Sequence, residues 1–267
     1  MYSISAVYDG FFNYTFAYKL DSDVPWRFFV VRNKTDNKVI VPKNDVKWMD
    51  VSDMEPIGEE IKRKLQSKNQ AAIWLVSHCH TVNNREDFVV KLVTELESYN
   101  LSIMTTGSQR CVYPYEEITP CSYWNTPNGT HSKEICHKWI SSTHYFYLAF
   151  ENAMCEDYVT EKILIATKNF AVPIVFGGAD YTKFLPPGSY INASDLTPKE
   201  LASLMNELIQ DKNKYYEYFK WHRYYSIHDP TESAETDGMC VLCAFLNNAK
   251  YDSVSSVYTR LTWFYKF

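Results

Sequence analysis

The sequence predicts an α/β fold, a parallel sheet with helices on both faces. Two kinds of segment carry that expectation, and they alternate. Short apolar runs with no polar alternation occur at residues 71–76, 146–150 and 171–177, the pattern of strands buried on both faces. Amphipathic stretches separate them, and a strand–helix–strand series implies parallel pairing with right-handed crossovers.

Each element has a local reason. Residues 12–18 alternate in strand fashion and stop at Asp21-Ser-Asp23 and Pro25. Residues 60–67 read as a basic helix. The run 71–76 is the first buried strand. Residues 85–98 follow as a helix, with Phe88, Val89, Leu92, Val93 and Leu96 at helical spacing. Residues 101–104 suit the next strand. Residues 108–137 read as a long loop, rich in proline and holding three cysteines, and a loop of that length needs tethering. Strand 146–150, helix 159–168 and strand 171–177 come next. A helix over 196–210 closes the series, with Pro198 suited to its first turn.

Composition limits the function classes. A chain of 267 residues with 46% hydrophobic and 22% charged content is globular and can bury a real core. A net charge of -5 without a dense basic block argues against a nucleic-acid surface. No apolar run approaches the length of a membrane span, and the first residues lack the basic start and apolar core of a signal peptide. Asn-x-Ser/Thr triplets at Asn13, Asn33, Asn100, Asn128 and Asn192 nevertheless point to a secretory compartment. Seven cysteines would there give up to three disulfides and one free thiol. Cys240-Val-Leu-Cys243 has zinc-like spacing but no second pair to complete a site. The aromatic content of 16% suits core packing first and sugar-binding surfaces second.

The polar turn after residue 150 is the most informative stretch. A strand, a polar turn and a helix start is where α/β proteins place ligands. From Tyr158, helical spacing reaches Glu161 and Lys162, so a phenol, a carboxylate and an ammonium are expected on one side of a first helical turn. A lysine at a helix start suits a phosphate, and a carboxylate beside it suits sugar hydroxyls. A solvated surface helix is the plainer reading of the same spacing. His78 and His80 flank Cys79 after the first strand and read as turn residues without a chemical role.

Phe146-Tyr-Leu-Ala-Phe-Glu-Asn152 followed by Asp157-Tyr158-Val-Thr-Glu161-Lys162 resembles the donor-binding motif of the α1,3/α1,4-fucosyltransferases. The resemblance continues in order along the chain. Phe12-Asn-Tyr-Thr-Phe-Ala-Tyr18, Trp74-Leu-Val-Ser-His-Cys79 with Arg85 downstream, residues 171–178 and residues 184–191 each match a family segment. It implies a GT-B fold of two facing Rossmann-like domains, with the donor nucleotide in the C-terminal one. Residues 66–267 would be the GDP-fucose-binding donor domain, and residues 1–65 the remnant of a truncated N-terminal acceptor domain.

The activity so implied is inverting transfer of L-fucose from GDP-fucose to a GlcNAc hydroxyl, in α1,3 linkage, on an N-glycan or LacNAc-type acceptor. Such a reaction needs a base for the acceptor hydroxyl and positive charge for the leaving diphosphate. By resemblance Arg85 and Lys162 would contact the diphosphate, Glu161 would accept hydrogen bonds from ribose or fucose hydroxyls, and Asn152 and Tyr158 would line the donor pocket. No cofactor is required, and a divalent metal is at most stimulatory. A Golgi lumenal location with a membrane anchor upstream is implied as well.

Departures from the family pattern bear on turnover. The family's base is a glutamate that would fall before Met1, so the catalytic residue is unknown here. Asp9 is the nearest carboxylate, and nothing in its surroundings marks it as a substitute. Ala153 and Tyr145 stand where the family has serine and lysine. A non-catalytic lumenal protein that binds nucleotide or glycan is the rival reading, because it needs no base.

Overall fold

A computed structural model describes residues 13–107, 111, 120–121 and 129–248. Asp9 and Asn128 lie outside them.

The strands occur in the order β1 (Phe16–Ala17), β2 (Val24–Pro25), β3 (Val30–Asn33), β4 (Val39–Val41), β5 (Gln70–Val76), β6 (Ile103–Gly107), β7 (His144–Phe150), β8 (Val172–Phe176), β9 (Ile191–Asn192) and β10 (Tyr225–His228). The helices are α1 (Glu59–Leu65), α2 (Arg85–Glu97), α3 (Gly129–Thr143), α4 (Lys162–Lys168), α5 (Pro198–Gln210), α6 (Lys212–Glu217) and α7 (Gly238–Leu246). Five strands form the expected parallel sheet in the order β6-β5-β7-β8-β9.

Burial explains the strand sequences. Every residue of β7 is buried, so both faces of the central strand are covered and no polar alternation is needed. One core layer joins Trp74, Leu92, Leu96, Phe146, Leu148, Leu201 and Met205. The other joins Ile73, Tyr147, Ala149, Ile163 and Val175 with Phe29, Val31 and Val41. The N-terminal segment therefore packs into the same core as the large sheet. It also pairs with the far end of the chain, since β10 runs antiparallel to β3, with Tyr225 opposite Asn33 and His228 opposite Val30.

Three elements differ from the sequence-based expectation. Residues 12–18 yield only the two-residue β1, whose partner is β2, in parallel. Residues 129–137, expected to be the end of the long loop, lie instead in α3, which buries Cys136 and Ile140 one turn apart. The helix expected from residue 159 starts at Lys162, because Asp157 takes the left-handed conformation (φ 60°) and the chain turns there first. Two disulfides tie the loop region: Cys79–Cys111 and Cys121–Cys136. Cys155, Cys240 and Cys243 are free thiols. No described helix is long and apolar enough to cross a membrane.

Candidate functional site

The strand order places β6 on one side of β5 and β7 on the other. The crevice between diverging connections, at the carboxyl ends of β5 and β7, is the usual ligand position in such sheets. The sequence-predicted residues converge there, on the loops after β5 and β7.

Arg85 opens α2 and is buried, at 2% exposure. Its Nη1 donates to the Phe150 carbonyl at the end of β7 (2.5 Å), and its Nη2 donates to the His78 carbonyl after β5 (2.8 Å). The guanidinium also lies 5.4 Å from the Trp74 ring centroid and 3.6 Å from a Glu86 carboxylate oxygen. It forms the floor of the crevice rather than its wall, holding two neighbouring strands at their ends. Asn83 adds a parallel tie, from its amide to the Glu151 carbonyl (2.8 Å). Burial lowers the Arg85 pKa, opposed by Glu86, Glu151 and Tyr158.

Lys162 reaches back over the turn. Its Nζ donates to Glu151 Oε2 (2.8 Å) and to Thr160 Oγ1 (2.9 Å), and the side chain keeps 14% exposure. An ammonium has three N–H donors, so one remains for a ligand. Glu151 is fully buried directly after β7 and also accepts from the Thr160 amide and hydroxyl. Burial raises its pKa, and Lys162 and Thr160 pull the other way. Glu161 is the N-cap of α4, makes no capping bond, and is exposed. Glu161 is thus open to solvent one residue before Lys162.

Tyr158 lies before the helix, so it does not share a helical face with Glu161 and Lys162 as the spacing suggested. The left-handed turn at Asp157 brings it into the cluster instead. Burial, then Glu151, Glu161 and Cys155, raise its phenol to about 12. Its ring meets Tyr18 edge-on at 4.9 Å and Phe28 at 6.2 Å. Asn152 is half-buried at the start of the loop.

Several partners in this loop were not singled out from sequence. Asp157 accepts from the Leu20 amide (3.1 Å), and Lys19 pairs with Glu156 (3.1 Å). The loop thus rests on residues 18–20 of the N-terminal segment. Glu151 carried one signal: it is a carboxylate set immediately after a wholly apolar strand. The loop after β8 is equally close. A Cβ on Gly178 would meet the Met154 carbonyl carbon at 2.6 Å and the Cys155 nitrogen at 2.8 Å, so only glycine fits. Among the described residues no group of three or more His, Cys, Asp or Glu is arranged to hold a metal ion.

The architecture is that of a parallel α/β domain with a cluster of charged side chains at its switch point, a class that serves many chemistries. Residues 65–263 match the model described as glycosyltransferase family 10 (fucosyltransferase) C-term, and the chain belongs to that family. It is 30% identical over 261 residues to alpha-(1,3)-fucosyltransferase C of Drosophila melanogaster, covering 96% of this chain and 54% of that protein. It is 31% identical over 189 residues to alpha-(1,3)-fucosyltransferase fut-1 of Caenorhabditis elegans, covering 67% of this chain and 38% of the relative. A crystal structure of an alpha1,3-fucosyltransferase with GDP-fucose aligns at a TM-score of 0.45 and 18% identity, covering 74% of this chain and 51% of that one. The chain spans about half the length of the curated relatives it matches. The activities in these names are fucosyl transfer, which gives the non-catalytic rival no support.

Proposed function

We propose that this chain carries the GDP-fucose-binding part of an inverting α1,3-fucosyltransferase. The observation that carries the reading is Lys162: a partly exposed ammonium with one donor unspent, at the carboxyl edge of the sheet, preceded in the chain by the exposed Glu161. Lys162 offsets charge on the departing diphosphate, and Arg85 adds positive charge from the floor. Glu161 accepts hydrogen bonds from ribose or fucose hydroxyls. Asn152 and Tyr158 line the pocket. Diphosphate release of this kind runs on fixed side-chain charge without a required metal. No described carboxylate is assigned as the base.

Residues 66–267 serve as the donor domain of a GT-B enzyme, and residues 1–65 belong to its acceptor side. The acceptor is a GlcNAc hydroxyl of a glycan. The protein works in the Golgi lumen behind a membrane anchor, a location that the two disulfides support.

A thermal-shift titration with GDP and GDP-fucose, with UDP as control, tests the donor assignment. Selective stabilisation by the guanine nucleotides is expected, because ligand binding to the folded state raises its stability. A folded sample that responds to none of the three, or equally to UDP, would remove it.

A further inference from the structure

We propose that Asn100 is an N-glycan attachment site of this protein, and that Asn192, which has the same type of acceptor triplet, is not one. The proposal rests on the lumenal location above. It follows from how the fold treats two chemically equivalent asparagines.

Asn100 ends the turn between α2 and β6, at the amino edge of the sheet. Its backbone is in the left-handed conformation (φ 55°). The Asn100 amide donates to the Glu97 carbonyl (3.0 Å) and the Leu101 amide to the Leu96 carbonyl (3.1 Å), closing the helix end. The backbone is therefore fixed while the side chain is exposed and makes no hydrogen bond among the described residues. Ser102, the third residue of the triplet, is also exposed. Tyr99 alongside keeps 37% exposure, an aromatic surface that a sugar can cover. A glycan here projects from the edge opposite the crevice and leaves the crevice open.

Asn192 is held on both ends of its amide. Its Oδ1 accepts from the Ser194 amide (3.2 Å), and its Nδ2 donates to Asp195 Oδ2 (2.9 Å). It is half-buried in β9, paired with Val175, and caps the turn that follows. It also lines a cavity of about 370 Å³ beside Trp48 and Tyr190. A branched oligosaccharide on Nδ2 would have to displace the Asp195 carboxylate and crowd that cavity.

The donor of the modification is a lipid-diphosphate-linked oligosaccharide. A bond forms between Asn100 Nδ2 and the sugar C1, the bond from C1 to the diphosphate oxygen breaks, and the lipid diphosphate leaves with that electron pair. The amide proton passes to a base of the transferring enzyme.

The full chain, secreted from a eukaryotic cell behind a cleavable leader, gives the test. Glycans are released with an amidase in ¹⁸O-water, and the peptides are read by mass spectrometry. The expected result is heavy aspartate at position 100 and unmodified Asn192 in the folded fraction. Ser102→Ala, which keeps the left-handed asparagine, should remove one glycan from the intact mass, and Asn192→Gln should remove none. A glycan on Asn192 in folded protein, or a bare Asn100 on a chain glycosylated elsewhere, overturns the proposal. A secreted chain with no glycan at any site overturns it too, because the leader has already brought the triplets into the lumen, and it leaves the nucleotide titration unaffected.

Discussion

The two ends of the β5–β7 pair are built on the same device and put it to different use. At the amino edge, the buried Lys68 donates to the Ser141 carbonyl (3.0 Å) and the His144 carbonyl (2.6 Å). At the carboxyl edge, Arg85 donates to the carbonyls of His78 and Phe150. Arg85 thus ties the loop after β5 to the end of β7, whereas Lys68, two residues before β5, holds the end of α3 and the start of β7. Around Lys68 the neighbouring groups are closed off from solvent: burial and Lys68 hold His144 neutral, with a pKa of about 3, and its Nε2 is buried without a hydrogen-bond partner. Around Arg85 a surplus remains, in the third donor of Lys162 and the open carboxylate of Glu161. A buried cation on backbone carbonyls is thus a structural clamp at either edge, and what differs is whether the polar groups beside it reach solvent, as Lys162 and Glu161 do and His144 does not.

Four experiments can break or sharpen this comparison. The largest effect is expected from Arg85→Met. It leaves the buried Phe150 carbonyl and the partly buried His78 carbonyl without this partner and should cost about 1–4 kcal/mol, read as a lower urea midpoint with no nucleotide present. If the midpoint stays put and only GDP binding falls, the clamp is wrong and Arg85 is a ligand contact.

Lys162→Ala comes next. Loss of one charge-assisted hydrogen bond should weaken GDP binding by about 10- to 100-fold, while Glu151→Gln should leave binding intact. Unchanged GDP affinity in the lysine variant would remove Lys162 from the donor site.

A smaller effect concerns pH at the opposite edge. Burial lowers the Lys68 pKa from 10.5 to about 7. Between those values the unfolded chain holds a proton that the folded chain has shed, so this group makes stability rise with pH from about 7 to about 10.5. Lys68→Met should flatten that rise relative to the parent, and parallel pH profiles for the two proteins would refute the assignment. The smallest effect on the fold is expected from Glu161→Gln. An exposed carboxylate with no capping bond should change stability by less than about 0.5 kcal/mol, yet reduce GDP-fucose affinity by calorimetry. Equal affinity would show that the open carboxylate is surface only.

Much of the large sheet was legible in the sequence, because buried parallel strands and amphipathic helices leave local patterns. β5, β7, β8, α2 and α5 all follow from such patterns within a few residues. α3 did not, since it buries little more than Cys136 and Ile140 and lies in a stretch of weak helix formers. Neither did the late start of α4, which depends on one left-handed backbone angle at Asp157. The clustering of Arg85, Tyr158, Glu161 and Lys162 was legible through motif resemblance. The inward turn of Arg85 and the burial of Glu151 were not, because both depend on strand ends that lie far apart in sequence.

The pairing of β3 with β10 has a consequence for how the protein is made. Asn33 leaves the ribosome about 190 residues before its partner Tyr225 exists. At ordinary elongation rates that delay is about 10–40 seconds. During that time β3, whose Val30 and Val31 are fully buried in the finished structure, has β4 on one side and an open edge where β10 will lie. The β3–β4 hairpin therefore carries an exposed strand edge until translation is nearly over, and a premature stop anywhere before β10 leaves that edge uncovered.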